Sequence, residues 1–186
     1  EGLAREKINF VFKGGTALMM LFGSAKRLSI DIDIVLPEKP DNLQEVFNRI
    51  TAEQGFTRLE EAERMQVEKI DKEHYKFFYK PLLKTASEED YILLDILYEN
   101  ICYKDIKRFP IESSFIPMTG VPLEVNIPSF EDLAGDKLTA FAPNTTGIPY
   151  FKKGLSKSME IIKQLYDIGN LFDRAEDIST IKATFA

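Results

Sequence analysis

Apolar and polar positions alternate with two different periods along this chain, and the switches between them mark out the elements. Ala17, Leu18, Leu21 and Phe22 fall at helical spacing, which predicts a helix starting near Gly14-Gly15-Thr16. After a loop over 23–29, Ile30, Ile32 and Ile34 alternate with Asp31, Asp33 and Val35, the period of two expected of a strand with one apolar face. Residues 41–54 return to helical spacing, with Leu43, Val46, Phe47 and Ile50 on one face and Gly55 as the stop. Three β-like stretches follow at 56–70, 74–83 and 91–98. Polar turns around Asp71-Lys72 and Ser87-Glu88-Glu89 imply antiparallel hairpins between them. The extended piece 121–127 contains Pro122, which has no amide hydrogen to give a ladder, so an edge strand is predicted there.

The last third changes character. Ser129 with Asp132 three residues on is a helix-start signature, because hydroxyl and carboxylate can serve the free amides of a first turn. That helix is expected to reach about Ala142, and the Pro-, Gly- and Thr-rich stretch 142–154 reads as a linker. Residues 155–172 then read as an amphipathic helix with Leu155, Met159, Ile162, Leu165 and Phe172 on its apolar stripe. There is no internal repeat. The pattern predicts an α+β fold with a mixed or antiparallel sheet flanked by helices over 1–127, and a helical C-terminal portion over 128–186.

Two carboxylates inside an apolar run need a reason. Asp31 and Asp33, two apart, share one face of their strand. Carboxylates that close repel one another unless a cation lies between them or water reaches them freely, and a hard divalent ion such as Mg2+ or Mn2+ is the fitting partner. A bare pair of this kind is also what the wet face of an edge strand shows. The preceding Gly14-Gly15-Thr16 shifts the balance, because a helix start without side chains lets backbone amides approach an anion, and Thr16 can cap the helix or bond a phosphate oxygen. Asp95, alone among Leu94, Ile96 and Leu97, is a candidate third carboxylate, since an unpaired buried acid is costly. It could equally share a wet face with Leu93 and Leu97. Lys137 recurs with Phe130, Leu133 and Phe141 in an apolar stripe, so it either snorkels outward or reaches into a site. Asp167 stands four residues after Lys163, where a surface ion pair is the plain reading. The lone His74 is read as a strand-surface residue without a catalytic role, and one His with one Cys provides neither a zinc set nor a nucleophile triad.

Composition narrows the classes. The chain has 186 residues, enough for one domain or one domain with a helical annex, and its net charge of −6 argues against non-specific coating of nucleic acid. Lys152, Lys153, Lys157 and Lys163 cluster locally and read as a solvated helix face. The single Cys102 fits a reducing compartment. No apolar run approaches the roughly 20 residues that span a bilayer, so a cytoplasmic protein without membrane contact is expected. Opening on Glu1 without methionine is what a piece of a longer protein would show.

Taken in order, Gly14, Gly15, Thr16, Arg27, Ser29, Asp31 and Asp33 in "KGGTAL…RLSIDIDI" resemble the first motif of the AbiEii/AbiGii-type nucleotidyltransferase toxins, within the polymerase beta-like nucleotidyltransferase superfamily. "DLAGDKLTAF" resembles the helix carrying that family's lysine, which falls on Lys137, and "KQLYDIGNL" resembles its late aspartate motif, which falls on Asp167. Two departures accompany the match: Lys163-Gln164 stands where an Arg-Asp pair is common, and an arginine after the motif lysine is replaced around Asn144. The resemblance implies that Asp31, Asp33 and Asp95 hold Mg2+ or Mn2+, that Gly14, Gly15, Thr16 and Ser29 contact a nucleoside triphosphate, that Lys137 supports the phosphates, and that Asp167 is a polar site residue. It implies transfer of a nucleoside monophosphate to an acceptor, with the 3′ end of tRNA as one candidate. It also implies a role as the toxin of a bacterial toxin–antitoxin or abortive-infection pair, with a cognate antitoxin as partner and the C-terminal portion completing the site. A nucleotide- or partner-binding module of the same fold without turnover is the alternative.

Overall fold

The structure is a computed structural model and describes residues 1–62, 71–83, 87–112, 119–143 and 145–185. The chain folds as two compact units, Glu1–Ile101 with Arg108–Ile127, and Cys102–Lys107 with Pro128–Ala186.

The first unit carries helices α1 (Gly2–Arg5), α2 (Gly14–Leu21) and α3 (Leu43–Glu53) around a mixed sheet. Its strands are β1 (Val11–Lys13), β2 (Ile32–Leu36), β3 (Arg58–Glu61), β4 (Lys72–Tyr79), β5 (Asp90–Tyr98), β6 (Ile106–Pro110) and β7 (Glu124–Pro128), in the spatial order β3-β4-β5-β2-β1-β7-β6. The two predicted hairpins are present, since β3–β4 and β4–β5 pair antiparallel. Between β5 and β2 the direction changes to parallel, and β1 returns antiparallel to β2. Alternation does what the period of two requires: Ile34, Ile96 and Tyr75 are buried on one face. There α3 lays Phe47 edge-on against Tyr75 and Phe77, with ring centroids 4.6 and 5.6 Å away. Such pairs contribute about 0.5–1.5 kcal/mol each beyond the area they bury.

Two strand expectations need correction. The strand expected at 121–127 begins only at Glu124 and lies between β1 and β6, not at an edge. Pro122 precedes it and so removes no ladder donor. The outer place belongs to β6, a segment with no clear apolar period that the sequence pattern missed. The β-like stretch at 56–70 gives only the short β3, and 63–70 lies outside the described residues.

In the second unit, α4 (Phe130–Phe141) is followed by a hairpin of β8 (Phe151–Lys152) and β9 (Leu155–Ser156), then α5 (Ser158–Phe172) and α6 (Ile178–Phe185). The predicted start of α4 is observed: Ser129 Oγ accepts the amide of Asp132 at 3.1 Å. The Asp132 carboxylate is fully buried. It accepts the amides of Lys104 and Asp105 at 3.1 and 2.9 Å and the Thr184 hydroxyl at 2.6 Å. These bonds tie segment Cys102–Lys107 and α6 to α4. Gly135 permits the close approach, because a Cβ there would come within 2.7 Å of the Ile181 carbonyl oxygen. The stretch read as a linker ends in the first strand and the turn of the hairpin, whose turn residues Lys153 and Gly154 have φ of 52° and 78°, as a two-residue loop matched to strand twist requires.

The helix expected over 155–172 begins at Ser158, and its buried face is not the predicted one. Leu155, Met159, Ile162, Leu165 and Phe172 are 68, 63, 57, 53 and 47% exposed, whereas Asp167, Ile168 and Leu171 are buried. The inward stripe is Ile161, Gln164, Ile168 and Leu171, and Asp167 lies beside it against the buried Lys137 of α4.

Candidate active site

The glycine turn and the aspartate strand are neighbours in space. Gly14, at φ +77°, sits where a Cβ would fall 1.9 Å from Asp33 Oδ2, so the missing side chain is the room the Asp33 carboxylate occupies. Gly15 is closed in the same way by Ser29 and Arg27, whose Oγ and Nη2 would each lie 2.7 Å from a Cβ. Lys13 is the residue before α2 and gives it no side-chain cap. The Thr16 hydroxyl does not cap it either, but donates to the Asp31 carbonyl at 2.6 Å and so ties the first turn of α2 to the start of β2. The first amides of α2 therefore begin beside the Asp31–Asp33 segment, with the positive end of the helix dipole toward it.

Register brings the third carboxylate in. Asp33 on β2 stands directly opposite Asp95 on parallel β5, and strands so paired are about 4.8 Å apart. Asp95 in turn stands opposite His74 on β4, and Lys13 on β1 opposite Asp33. Directly paired residues share a sheet face, so His74, Asp95, Asp33 and Lys13 form one row across β4-β5-β2-β1, on the face away from Ile34 and Ile96. Asp95 is partly exposed and His74 nearly enclosed, at 28 and 11% of the side chain, and His74 Nδ1 lies 2.6 Å from Asp95 Oδ1. The surface placement read for His74 is thus corrected: its ring is held against an acid.

Lys137 and Asp167 meet in the second unit. The Lys137 ammonium lies 3.1 Å from Asp167 Oδ2 with side-chain exposures of 7 and 5%. Lys137 therefore does not snorkel, and the surface partnership of Asp167 with Lys163 gives way to a buried one. Gln164, one turn before Asp167, keeps its Oε1 buried with no hydrogen-bond partner among the described residues.

The donor set suits a hard divalent cation, since Asp33 and Asp95 stand in register on one sheet face, with Asp31 exposed just before β2. Among the described residues no group of three His, Cys, Asp or Glu side chains is gathered as a complete metal cage. That fits Mg2+, which is ordinarily held by one or two carboxylates while substrate phosphates and water fill the rest of its shell.

A mixed sheet with a helix-opening glycine pair beside an in-register carboxylate pair defines a nucleotidyltransferase fold, and comparison with known proteins agrees. Residues 2–186 match the family described as "Nucleotidyl transferase AbiEii toxin, Type IV TA system", and the chain belongs to that family. No curated protein sequence matches it. Among solved structures it is similar to MenT4, a nucleotidyltransferase toxin from Mycobacterium tuberculosis H37Rv, with 16% identity and a TM-score of 0.57 over 95% of this chain and 55% of that one. The chain thus spans about half the length of MenT4. It is also similar to ANT(2'')-Ia, solved in complex with adenylyl-2''-tobramycin, with 16% identity and a TM-score of 0.51 over 99% of this chain and 90% of that one. Among the described residues no helix is long and apolar enough to cross a membrane.

Proposed function

We propose that this protein transfers a nucleoside monophosphate from a nucleoside triphosphate to an acceptor hydroxyl, and that it does so as the toxin of a toxin–antitoxin pair. The observation that carries the reading is the Asp33–Asp95 register pair abutting Gly14 at the start of α2, in a chain of the AbiEii family. Two adjoining carboxylates repel one another unless positive charge or free water offsets them, and a divalent cation that would do so also supplies the charge a triphosphate needs in order to react.

In the proposed reaction the acceptor oxygen bonds to the α-phosphorus, the bond from that phosphorus to the bridging oxygen breaks, and pyrophosphate leaves with its electron pair. The hydroxyl proton passes to solvent. A divalent ion held by Asp31, Asp33 and Asp95, Mg2+ or Mn2+, supplies charge neutralisation at the phosphates and acidifies the attacking hydroxyl when bound. The amides of Gly14, Gly15 and Thr16 receive phosphate oxygens, and Ser29, lying against Gly15, adds a hydroxyl to the same wall. Lys137 neutralises phosphate charge, and Asp167 fixes its ammonium in one place. An RNA 3′ end, that of tRNA included, is the acceptor class we propose, and a cognate antitoxin is the proposed partner.

The test is incubation with Mg2+, each α-labelled nucleoside triphosphate in turn and total bacterial RNA, beside Asp31→Ala and Lys137→Ala proteins. Label entering RNA, and lost in both variants, is the expected result. Triphosphate binding with no labelled product on any acceptor would replace the proposal with a binding module.

A further inference from the structure

We infer that His74 is a positioning residue for Asp95: its ring N–H engages one carboxylate oxygen and so presents the other to the cation and phosphates. The inference rests on the proposed nucleotidyl-transfer reading. An ionised carboxylate only accepts hydrogen bonds, so the 2.6 Å contact is Nδ1–H donating to Oδ1, a bond to a charged acceptor. Neither partner has much freedom. Both sit in ladder positions of β4 and β5, directly opposite one another, and the imidazole is nearly enclosed. The row on this face continues from Asp95 to Asp33 and no further acid intervenes. With Oδ1 occupied, the carboxylate plane of Asp95 is fixed and Oδ2 is the oxygen left for other partners.

Asp95 is the one acid on its face of β5, between Leu93 and Leu97, and the residues opposite these three on β4 are His74, Lys76 and Lys72. The two lysines stand across from the leucines, and the histidine alone stands across from the acid. A histidine–carboxylate pair placed next to a second carboxylate has the form of the outer partners that orient ligands around a bound cation, whose loss typically weakens metal affinity about 10- to 100-fold.

The inference is tested on the intact chain with two replacements of similar size, His74→Gln, which keeps an N–H donor, and His74→Met, which does not. Mn2+ binding is followed by the loss of the free-ion electron paramagnetic resonance signal, with Asp33→Ala as reference and thermal melts as the control for folding. The expected result is Mn2+ affinity reduced about tenfold or more in His74→Met and largely retained in His74→Gln. If Mn2+ binding disappears in Asp33→Ala but is equal in wild type and His74→Met, the role of His74 is overturned while the transferase reading stands. A His74→Gln protein as weak as His74→Met also overturns it, since the donor would then be irrelevant. Absence of Mn2+ binding in the wild type, with triphosphate present or not, overturns the transferase reading and the inference with it.

Discussion

Asp167→Asn removes one charge from a pair whose members are both about 95% enclosed, and its effect can be worked from the geometry. At 3.1 Å and an effective dielectric constant near 20, the Lys137–Asp167 attraction is about 5 kcal/mol. Desolvating two ions offsets a similar amount, so the intact pair contributes little net stability. Breaking it is different, because the amide leaves the Lys137 ammonium buried without a counter-charge, which costs about 3–5 kcal/mol. A domain of this size is stable by about 5–15 kcal/mol in total. With a urea m-value of about 2 kcal/mol per molar, the midpoint should fall by about 2 M. Urea unfolding followed by circular dichroism reads this directly. The companion variant Lys137→Met/Asp167→Leu replaces both charges with apolar groups and should restore the midpoint to wild type or above, yet transfer no label. A midpoint shift below about 0.5 M for Asp167→Asn, or a double variant no more stable than the single one, would refute the reasoning, since the pair would then be either hydrated or valued for its packing alone.

Three further outcomes follow from single contacts. Gly14→Ala places a methyl 1.9 Å from Asp33 Oδ2 at a left-handed φ. The backbone cost is about 1–2 kcal/mol, but transfer activity should fall at least 100-fold because Asp33 must move, and comparing the melt with the rate separates the two. Asp132→Ala strips acceptors from the Lys104 and Asp105 amides and the Thr184 hydroxyl. With about 1–3 kcal/mol per stranded buried donor, chemical denaturation should show a loss of at least about 3 kcal/mol. Asp177, just before α6, is lowered to about 2 by the Ser179 and Thr180 hydroxyls and the Ser179 amide. A depressed folded value means that its contribution is complete above the ordinary carboxylate value near 3.8 and is lost as pH falls through about 2. A carboxyl-carbon NMR titration should show that low midpoint, and Ser179→Ala should raise it.

Local patterns were legible in the sequence, and contacts between distant segments were not. The Gly14-Gly15-Thr16 helix start, the strand carrying Asp33 and the Ser129 cap each depend on residues within a few positions, and spacing alone exposes them, although the strand begins at Ile32 and leaves Asp31 just before it. The resemblance to AbiEii-type toxins followed from the glycine and aspartate residues of the first motif together with the segments around Lys137 and Asp167. Long-range register was hidden: nothing near His74 or Lys13 in the chain says that each will face Asp95 or Asp33, because intervening segments set that pairing. The face of α5 was misread for a related reason. Met159, Ile162, Leu165 and Phe172 form one apolar stripe, but Ile161, Ile168 and Leu171 form a second, and the second turns inward with Asp167 beside it against Lys137. Strand β6 and helix α6 escaped because both are short and weakly periodic; α6 owes its place to Gly135 and the Asp132–Thr184 bond.

The central claim is that the α-phosphoryl group, with its nucleoside, moves to an acceptor. The most direct measurement supplies one triphosphate in two forms, labelled at the α- or at the γ-phosphate, to the wild-type protein and to Asp33→Ala with bacterial RNA as acceptor. Label from the α-position alone in the RNA, with the γ-label recovered as pyrophosphate and neither transferred by Asp33→Ala, is the predicted result. Transfer of the γ-label, or α-transfer unchanged in Asp33→Ala, would contradict the account.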